Sequence, residues 1–262
     1  MLTCTENDHL LPGLKPVLEL LNSEHGRIDC IFCKKGLRSP DILRLQSLCR
    51  LHGIHYTLVE QAVLDRLCHT QHHGQKNTVA HQGVVARLTS MVFCSLSHLL
   101  AAVTQAPLPV IIALDQVQDP GNVGTLCRTL YALGGAGILL PLHNSAYLGP
   151  AAQRAAAGAL EYLPVARVTN LAHALDSAEE AGLNIYGAGM SPKSLDAFIS
   201  PMCLPAVLVL GNENKGLRPG IAKRCTHMLR IPLARHFDSL NVAQAGAILL
   251  GLATANQNKT MC

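Results

Sequence analysis

Five polar side chains fall in three short runs, each following an apolar stretch. Asn122 and Arg128 lie in DPGNVGTLCRT (119–129), Glu213 in VLGNENKGL (209–217), and Ser239 and Asn241 in IPLARHFDSLNVAQAG (231–246). A lone arginine on a solvated helix face is ordinarily decoration, but the place of Arg128 one turn beyond a strand–loop–helix junction makes it a candidate for chemistry. Open α/β sheets bind ligands outside the carboxyl ends of their strands, so residues placed just after strands could converge on one site. Each residue also has a local role open to it: Asn122 as a turn residue, Ser239 as a helix N-cap, Asn241 in a first helical turn. Arg128 lies about 200° around a helix from Leu126, at roughly 100° per residue, so it points away from the apolar face formed by Val123, Leu126, Cys127, Leu130 and Leu133.

The elements that would carry these residues form two α/β blocks. In the first, helices are expected over 16–22, 40–52 and 62–68 and strands over 28–33, 55–59 and 84–88, a small open sheet covered by helices. The polar stretch HTQHHGQKNTVAHQG (69–83) reads as a surface loop, and 91–106 as a connecting helix. In the second, apolar runs predict strands over 110–114, 137–140, 163–168, 184–188, 206–210 and 227–231, mostly parallel and separated by helices. The final helix, NVAQAGAILLGLATA (241–255), is apolar or small nearly all round and should be buried on several sides, in a core or against a second subunit.

Other chemistries fit less well. Gly121-Asn-Val-Gly124 opens a helix after a strand, where amide groups bind anions, but lacks the glycine pattern of a dinucleotide or phosphate loop. Cys30, Cys33, Cys49 and His52 approach a structural zinc spacing. Yet Cys30 and Cys33, three apart on a strand, face opposite ways, and small buried hydrophobes explain them better. The histidines at 69, 72, 73 and 81 read as solvated side chains or RNA contacts. The chain of 262 residues is 49% hydrophobic and 15% charged, enough apolar content for a sizeable core and too much for disorder. A net charge of +4 is too small to argue a nucleic-acid partner alone. The segment from Asn214 to Phe237 carries Lys215, Arg218, Lys223, Arg224, Arg230 and Arg235 without an acid, and Lys34, Lys35 and Arg38 cluster in a predicted loop. No apolar run is long enough for a membrane helix, and the N-terminus lacks the features of a signal peptide. The ten cysteines are therefore expected as reduced thiols in a cytoplasmic protein.

The three runs, in this order and with these separations, resemble the motifs of the SpoU (TrmH-type) RNA 2′-O-ribose methyltransferases of the SPOUT class. The likeness covers 107–257, with GALEYLPVARVTNL (158–171) adding to it. More loosely, LKPVLELL and HQGVVA resemble the family's L30e/L7Ae-like substrate-binding domain. The resemblance implies a domain at 1–90 that binds RNA, a linker helix at 91–106 and a methyltransferase domain at 107–262. In the last, an α/β SPOUT sheet of about six mostly parallel strands would end in a deep trefoil knot. It implies S-adenosylmethionine as cofactor, bent in the knot and held by Gly211, Ile231 and Leu240, with Gly189 and Leu233 on nearby loops, and no metal. It implies a homodimer packed through the knot region and the 241–255 helix. Arg128 matches the family's essential arginine; because an arginine stays protonated near neutral pH, a phosphate clamp and alkoxide stabiliser suits it better than a base. Asn122 and Asn241 would orient the nucleotide and loops, Glu213 would fix the second motif, and Ser239 would hydrogen-bond near the methyl donor. One departure is AAAGAL (155–160), where relatives carry a hydroxyl before the glycine. The expected reaction is methylation of a ribose 2′-OH, foremost at a guanosine of large-subunit (23S) ribosomal RNA, with Lys34, Lys35, Arg38, Lys215 and Arg235 on the RNA. Transfer RNA is the alternative substrate, and a catalytically silent RNA-binding or assembly factor the alternative class.

Overall fold

The computed structural model describes residues 10–23, 25–72, 75–78, 81–88, 93–191, 194–235 and 239–260. The chain divides into two compact units, Met1–Val92 and Phe93–Cys262.

In chain order the first unit holds β1 (Leu10–Pro12), α1 (Leu14–Ser23), β2 (Ile28–Lys34), α2 (Pro40–Leu51), β3 (His55–Val59), α3 (Gln61–Leu67), β4 (His69–His72), β5 (Gln75–Thr78) and β6 (Val84–Leu88). Its main sheet runs β1-β6-β2-β3; β2 and β3 are parallel and the other pairs antiparallel. The strand β2 is central and buried on both faces, which is why IDCIFCK reads as an almost continuous apolar run. Its one acid, Asp29, sits at a register shift against β6 and is paired with Arg87, whose Nε donates at 2.8 Å. Ser39 caps α2 by accepting from the Ile42 amide, with Pro40 in the first turn. Cys30, Cys33 and Cys49 are buried in the core, whereas His52 stacks on His25 with ring centroids 4.0 Å apart. Among the described residues no group of three His, Cys, Asp or Glu side chains could hold a metal.

Two expectations in this unit are corrected. The stretch expected as a surface loop contains the antiparallel hairpin β4–β5, paired from His69↔Thr78 to His72↔Gln75. Its strands are polar on both faces, so they carry no apolar alternation for a pattern to detect. His81 is neither solvated nor free for RNA: it is 6% exposed, its Nδ1 accepts from the Gly83 amide at 3.0 Å, and its Nε2 donates to Asp65 at 2.9 Å. His73 lies outside the described residues.

The second unit continues with α4 (Leu96–Ala102), β7 (Leu108–Asp115), α5 (Pro120–Ala132), β8 (Gly135–Pro141), α6 (Pro150–Ala156), β9 (Val165–Val168), α7 (Leu171–Glu180), β10 (Asn184–Ala188), β11 (Leu195–Asp196), β12 (Ala206–Gly211), α8 (Pro219–Ala222), β13 (His227–Arg230) and α9 (Val242–Thr260). Its seven strands are ordered β11-β13-β10-β12-β7-β8-β9, and every pair is parallel. Six of them are the expected strands; the seventh is the two-residue edge strand β11, too short to leave a pattern. The segment expected as a linker helix is α4 followed by a 3₁₀ turn, and its Leu99 and Val103 belong to this unit's core.

The helix α5 is seated on two sides. A Cβ at Gly124 would collide with the Ala152 carbonyl and come within 2.7 Å of the Ala155 Cβ, so α5 and α6 touch backbone to backbone. On the other side, a Cβ at Gly246 of α9 would meet Leu126. The 155–160 stretch forms the end of α6 and the turn after it, against α5. No helix among the described residues is long and apolar enough to cross a membrane.

Candidate active site

The neighbours β13, β10, β12 and β7 end side by side, and each carboxyl end delivers a loop to the same place. The first follows Asp115: Asp119 caps α5, its Oδ1 accepting from the Gly121 amide at 2.6 Å and the Asn122 amide at 3.2 Å. Asn122 is therefore in the first helical turn, held by a cap in front of it. The second loop leaves β12 at Gly211 and closes a turn through the pair Asn212 N–H to Gly216 O (3.2 Å) and Gly216 N–H to Asn212 O (2.8 Å). Only glycine fits at 211, since a Cβ there would lie 2.6 Å from both the Gly216 carbonyl oxygen and the Leu217 amide nitrogen. The third runs from Ile231 to Asn241 and enters α9.

Three side chains join these loops. Asn122 Nδ2 donates to Glu213 Oε1 at 2.5 Å, and Asn241 Nδ2 donates to Asn122 Oδ1 at 2.9 Å. The Oδ1 of Asn241 accepts from the Ala243 and Gln244 amides at 2.9 and 3.3 Å, so Asn241 is the N-cap of α9. This corrects the local roles considered for the third motif: Asn241 precedes the helix instead of lying in its first turn, and the cap is not Ser239. The amide orientation of Asn122 follows from its partners: its nitrogen faces a carboxylate and its oxygen a donor.

Beside this network is a cavity of about 290 Å³. Gly189 and Met190 line it after β10, Gly211 to Asn214 and Gly216 after β12, and Arg230, Ile231 and Leu233 after β13. Ser239, Leu240, Val242, Ala245 and Leu249 complete it. All five residues expected at the methyl donor (Gly189, Gly211, Ile231, Leu233 and Leu240) thus share one wall system with Glu213 and Ser239. Among the described residues no hydrogen bond falls to the backbone of Ile231, Leu233 or Leu240, which leaves their amide and carbonyl groups for a ligand. The walls are otherwise largely aliphatic, as is usual in a pocket that fixes a small molecule with a few polar groups. None of residues 155–160 lines it.

Arg128 is not brought into the network. It is exposed, forms no hydrogen bond or ion pair among the described residues, and does not line the cavity. Six residues past Asn122, it stands about 9 Å further along α5. Lys215 and Arg235 are exposed on the second and third loops; in the first unit Lys34 and Arg38 are exposed, while Lys35 is paired with Glu60 at 2.9 Å.

The residue that sequence reasoning missed is Asp115. Fully buried at the end of β7, it accepts from the Arg218 backbone amide at 2.8 Å and from that side chain's Nε and Nη2 at 2.7 Å each. Arg218, expected only as part of a basic run, thereby ties the far end of the second loop to the first strand. Asn212 Nδ2 adds a bond to the Gln116 carbonyl at 3.1 Å. An acid ending an otherwise apolar strand was the available signal.

The family model described as the SpoU rRNA methylase family matches residues 109–251, more than half of the chain, including the whole site. The chain belongs to the SpoU methylase family. A second model, RNA 2′-O ribose methyltransferase substrate binding, matches residues 10–91. An uncharacterized tRNA/rRNA methyltransferase of Mycobacterium avium is 32% identical over 94% of this SpoU chain and 77% of its own. One from Synechocystis is 34% identical over 92% of this chain, which spans only 61% of that relative. An AdoMet-bound rRNA methyltransferase from Sinorhizobium meliloti has a similar structure, with 25% identity, a TM-score of 0.57, and coverage of 95% of this chain and 87% of that one.

Proposed function

We propose that the protein transfers a methyl group from S-adenosylmethionine to a ribose 2′-OH of RNA, with a guanosine of large-subunit ribosomal RNA as the target. Family membership carries the coarse part, a methyltransferase dependent on S-adenosylmethionine and acting on RNA. The observation that carries the site is the Asn241–Asn122–Glu213 relay at the rim of a cavity walled by the glycine-bearing ends of β10 and β12.

The cavity fits the cofactor in kind: aliphatic walls for an adenosine, unpaired backbone groups for its polar edge, and a single carboxylate, Glu213, among the lining side chains. When bound, the cofactor supplies a sulfonium-activated methyl group. Gly189, Gly211, Ile231, Leu233 and Leu240 would hold it, largely through their backbone, and Ser239 would offer a hydroxyl near the reacting end. Asn122, fixed by Glu213 and Asn241, would orient the nucleotide at the rim. Arg128, uncommitted and exposed, would grip a phosphate and stabilise negative charge as the 2′-oxygen loses its proton to a neighbouring group or to the RNA phosphate. Lys34, Arg38, Lys215 and Arg235 would add phosphate contacts, and Lys35 would do so after leaving Glu60. The trefoil knot and a cytoplasmic homodimer packed through the knot region and the 241–255 helix belong to the same proposal. Supporting it, 239–249 close one side of the cavity, and Ile248 and Leu252 of α9 remain only partly buried in the single chain.

The test uses tritiated S-adenosylmethionine with total RNA from cells lacking this protein, beside an Arg128→Ala control. Label in large-subunit RNA, at one position resistant to alkaline cleavage and absent in the control, is the expected result. Label in transfer RNA would overturn the substrate; no label and no binding of the cofactor would overturn the enzyme.

A further inference from the structure

On the surface of α5, beyond the site, two tyrosine rings are stacked in the open. Tyr131, in the last turn of α5, is 47% exposed, and Tyr162, just after the 3₁₀ turn that follows α6, is 69% exposed. Their centroids are 5.7 Å apart with 23° between the planes, an offset stack. Neither ring is there for lack of a core position: the chain has only five Tyr and four Phe and no Trp, and exposes this pair side by side. Among the described residues neither hydroxyl has a hydrogen-bond partner.

Both rings are held on rigid supports. The close approach at Gly124 fixes α5 against α6, and Ala157 and Gly158, with φ of 47° and 88°, turn the chain so that Ala159 and Leu160 bury and Tyr162 emerges. Arg128 lies three residues before Tyr131, hence on the same helix face with Cβ atoms about 5–6 Å apart. It is the uncommitted cation described above.

We propose that Tyr131 and Tyr162, beside Arg128, form a stacking platform for an unpaired base of the RNA substrate. The proposal rests on the reading of this protein as an RNA-modifying enzyme. The chemistry favours a nucleotide over a protein partner. Among the described residues, the other exposed large apolar side chains of this unit, Met190, Leu195, Phe198 and Ile199, belong to a different stretch of the chain, after β10. An aromatic face with a free guanidinium next to it matches a base and its phosphate. Tyr131 is nine residues past Asn122, about 14 Å along the helix. The stacked base is therefore a neighbour of the methylated nucleotide, and the platform helps to select single-stranded context.

The test compares Tyr131→Ala, Tyr162→Ala and the corresponding Phe variants in the full chain. The Ala variants are expected to raise KM for large-subunit RNA about five- to 150-fold, the range that base–aromatic stacking gives, with kcat and S-adenosylmethionine affinity unchanged. The Phe variants should behave as wild type. Because the chain has no Trp, tyrosine emission can be followed directly: a mixed-sequence RNA decanucleotide should quench the wild type and quench Tyr131→Ala less. Unchanged KM and quenching in the Ala variants would overturn the platform, as would Ala variants that lose affinity only by changing the sedimenting species, which would make the patch a protein interface. A wild type that methylates no RNA yet shows Tyr131-dependent quenching would sink the enzyme reading and leave the platform standing.

Discussion

Replacing Gly211 by Ala tests the cavity wall most directly. The new methyl group would sit 2.6 Å from the Gly216 carbonyl oxygen and from the Leu217 amide nitrogen, all backbone, so no side chain can swing aside. The turn must open, straining or breaking the two bonds between Asn212 and Gly216. Overpacking of this kind costs about 1–3 kcal/mol, and each backbone hydrogen bond lost adds about 1 kcal/mol. With one of the two bonds lost the total is about 2–4 kcal/mol, which in a unit the size of Phe93–Cys262 lowers the melting temperature by about 4–16 °C. The displaced turn carries Glu213 and one side of the cavity; if about 1.4 kcal/mol of the distortion falls on the bound state, affinity for S-adenosylmethionine drops about tenfold. The matched control is Gly220→Ala, at an exposed helical glycine where a Cβ meets nothing within 4 Å. It should be neutral or slightly stabilising, with unchanged affinity. Differential scanning calorimetry and isothermal titration read both quantities. A Gly211→Ala protein that melts and binds like the control would show that the turn does not need glycine and that the wall is not built as described.

Asn122→Ala removes both the donor to Glu213 and the acceptor for Asn241 while leaving the cavity walls. Single-turnover methylation should fall on the order of a hundredfold with cofactor affinity little changed, and an equal loss in both would refute a role in orientation. Arg218→Ala leaves the buried Asp115 carboxylate with one remaining donor, the residue-218 amide. The cost should be about 3 kcal/mol, the low end for a broken buried pair because the guanidinium is half exposed, read by urea unfolding of the full chain; a loss below about 1 kcal/mol would make the tie decorative. Burial pushes the thiols of Cys49 and Cys127 up, to about 11 and about 12. In the unfolded chain they ionise near ~8.5, so their contribution is complete below that pH and is lost as pH rises through the folded values. Melting temperature should therefore fall between pH 8 and pH 10, and less steeply in Cys127→Ala; an identical slope would refute the assignment.

Most strands and helices of both units were legible because their apolar periodicities are strong, and the three site loops because each leaves a recognisable strand; the three-residue edge strand β1 was not expected. What the sequence hid was of two kinds. The hairpin strands β4 and β5 are made of polar residues throughout and so show no alternation to read, and β11 is two residues long. The pairings Asp115–Arg218 and His81–Asp65 join side chains 103 and 16 residues apart, and composition alone shows such residues as surface charge or as solvated histidine. The convergence of Asn122, Glu213 and Asn241 followed from the rule that parallel strands end together; that Asn241 caps α9 with the other end of its amide required the helix boundary to be known within one residue. Arg128 was legible as outward-facing, and outward it remains.

The Asn241 relay also has a consequence for how the protein matures. Its partners lie 119 residues apart in one bond and 91 in the other, so closure of the site pays the entropy of very long loops and must wait for the sheet between them. On the proposed reading of the cavity, no early intermediate can hold the methyl donor, because one side of the cavity arrives with 239–249. On that reading the site works only once α9 has joined it, and a polypeptide still emerging short of α9 stays chemically silent toward any RNA it meets.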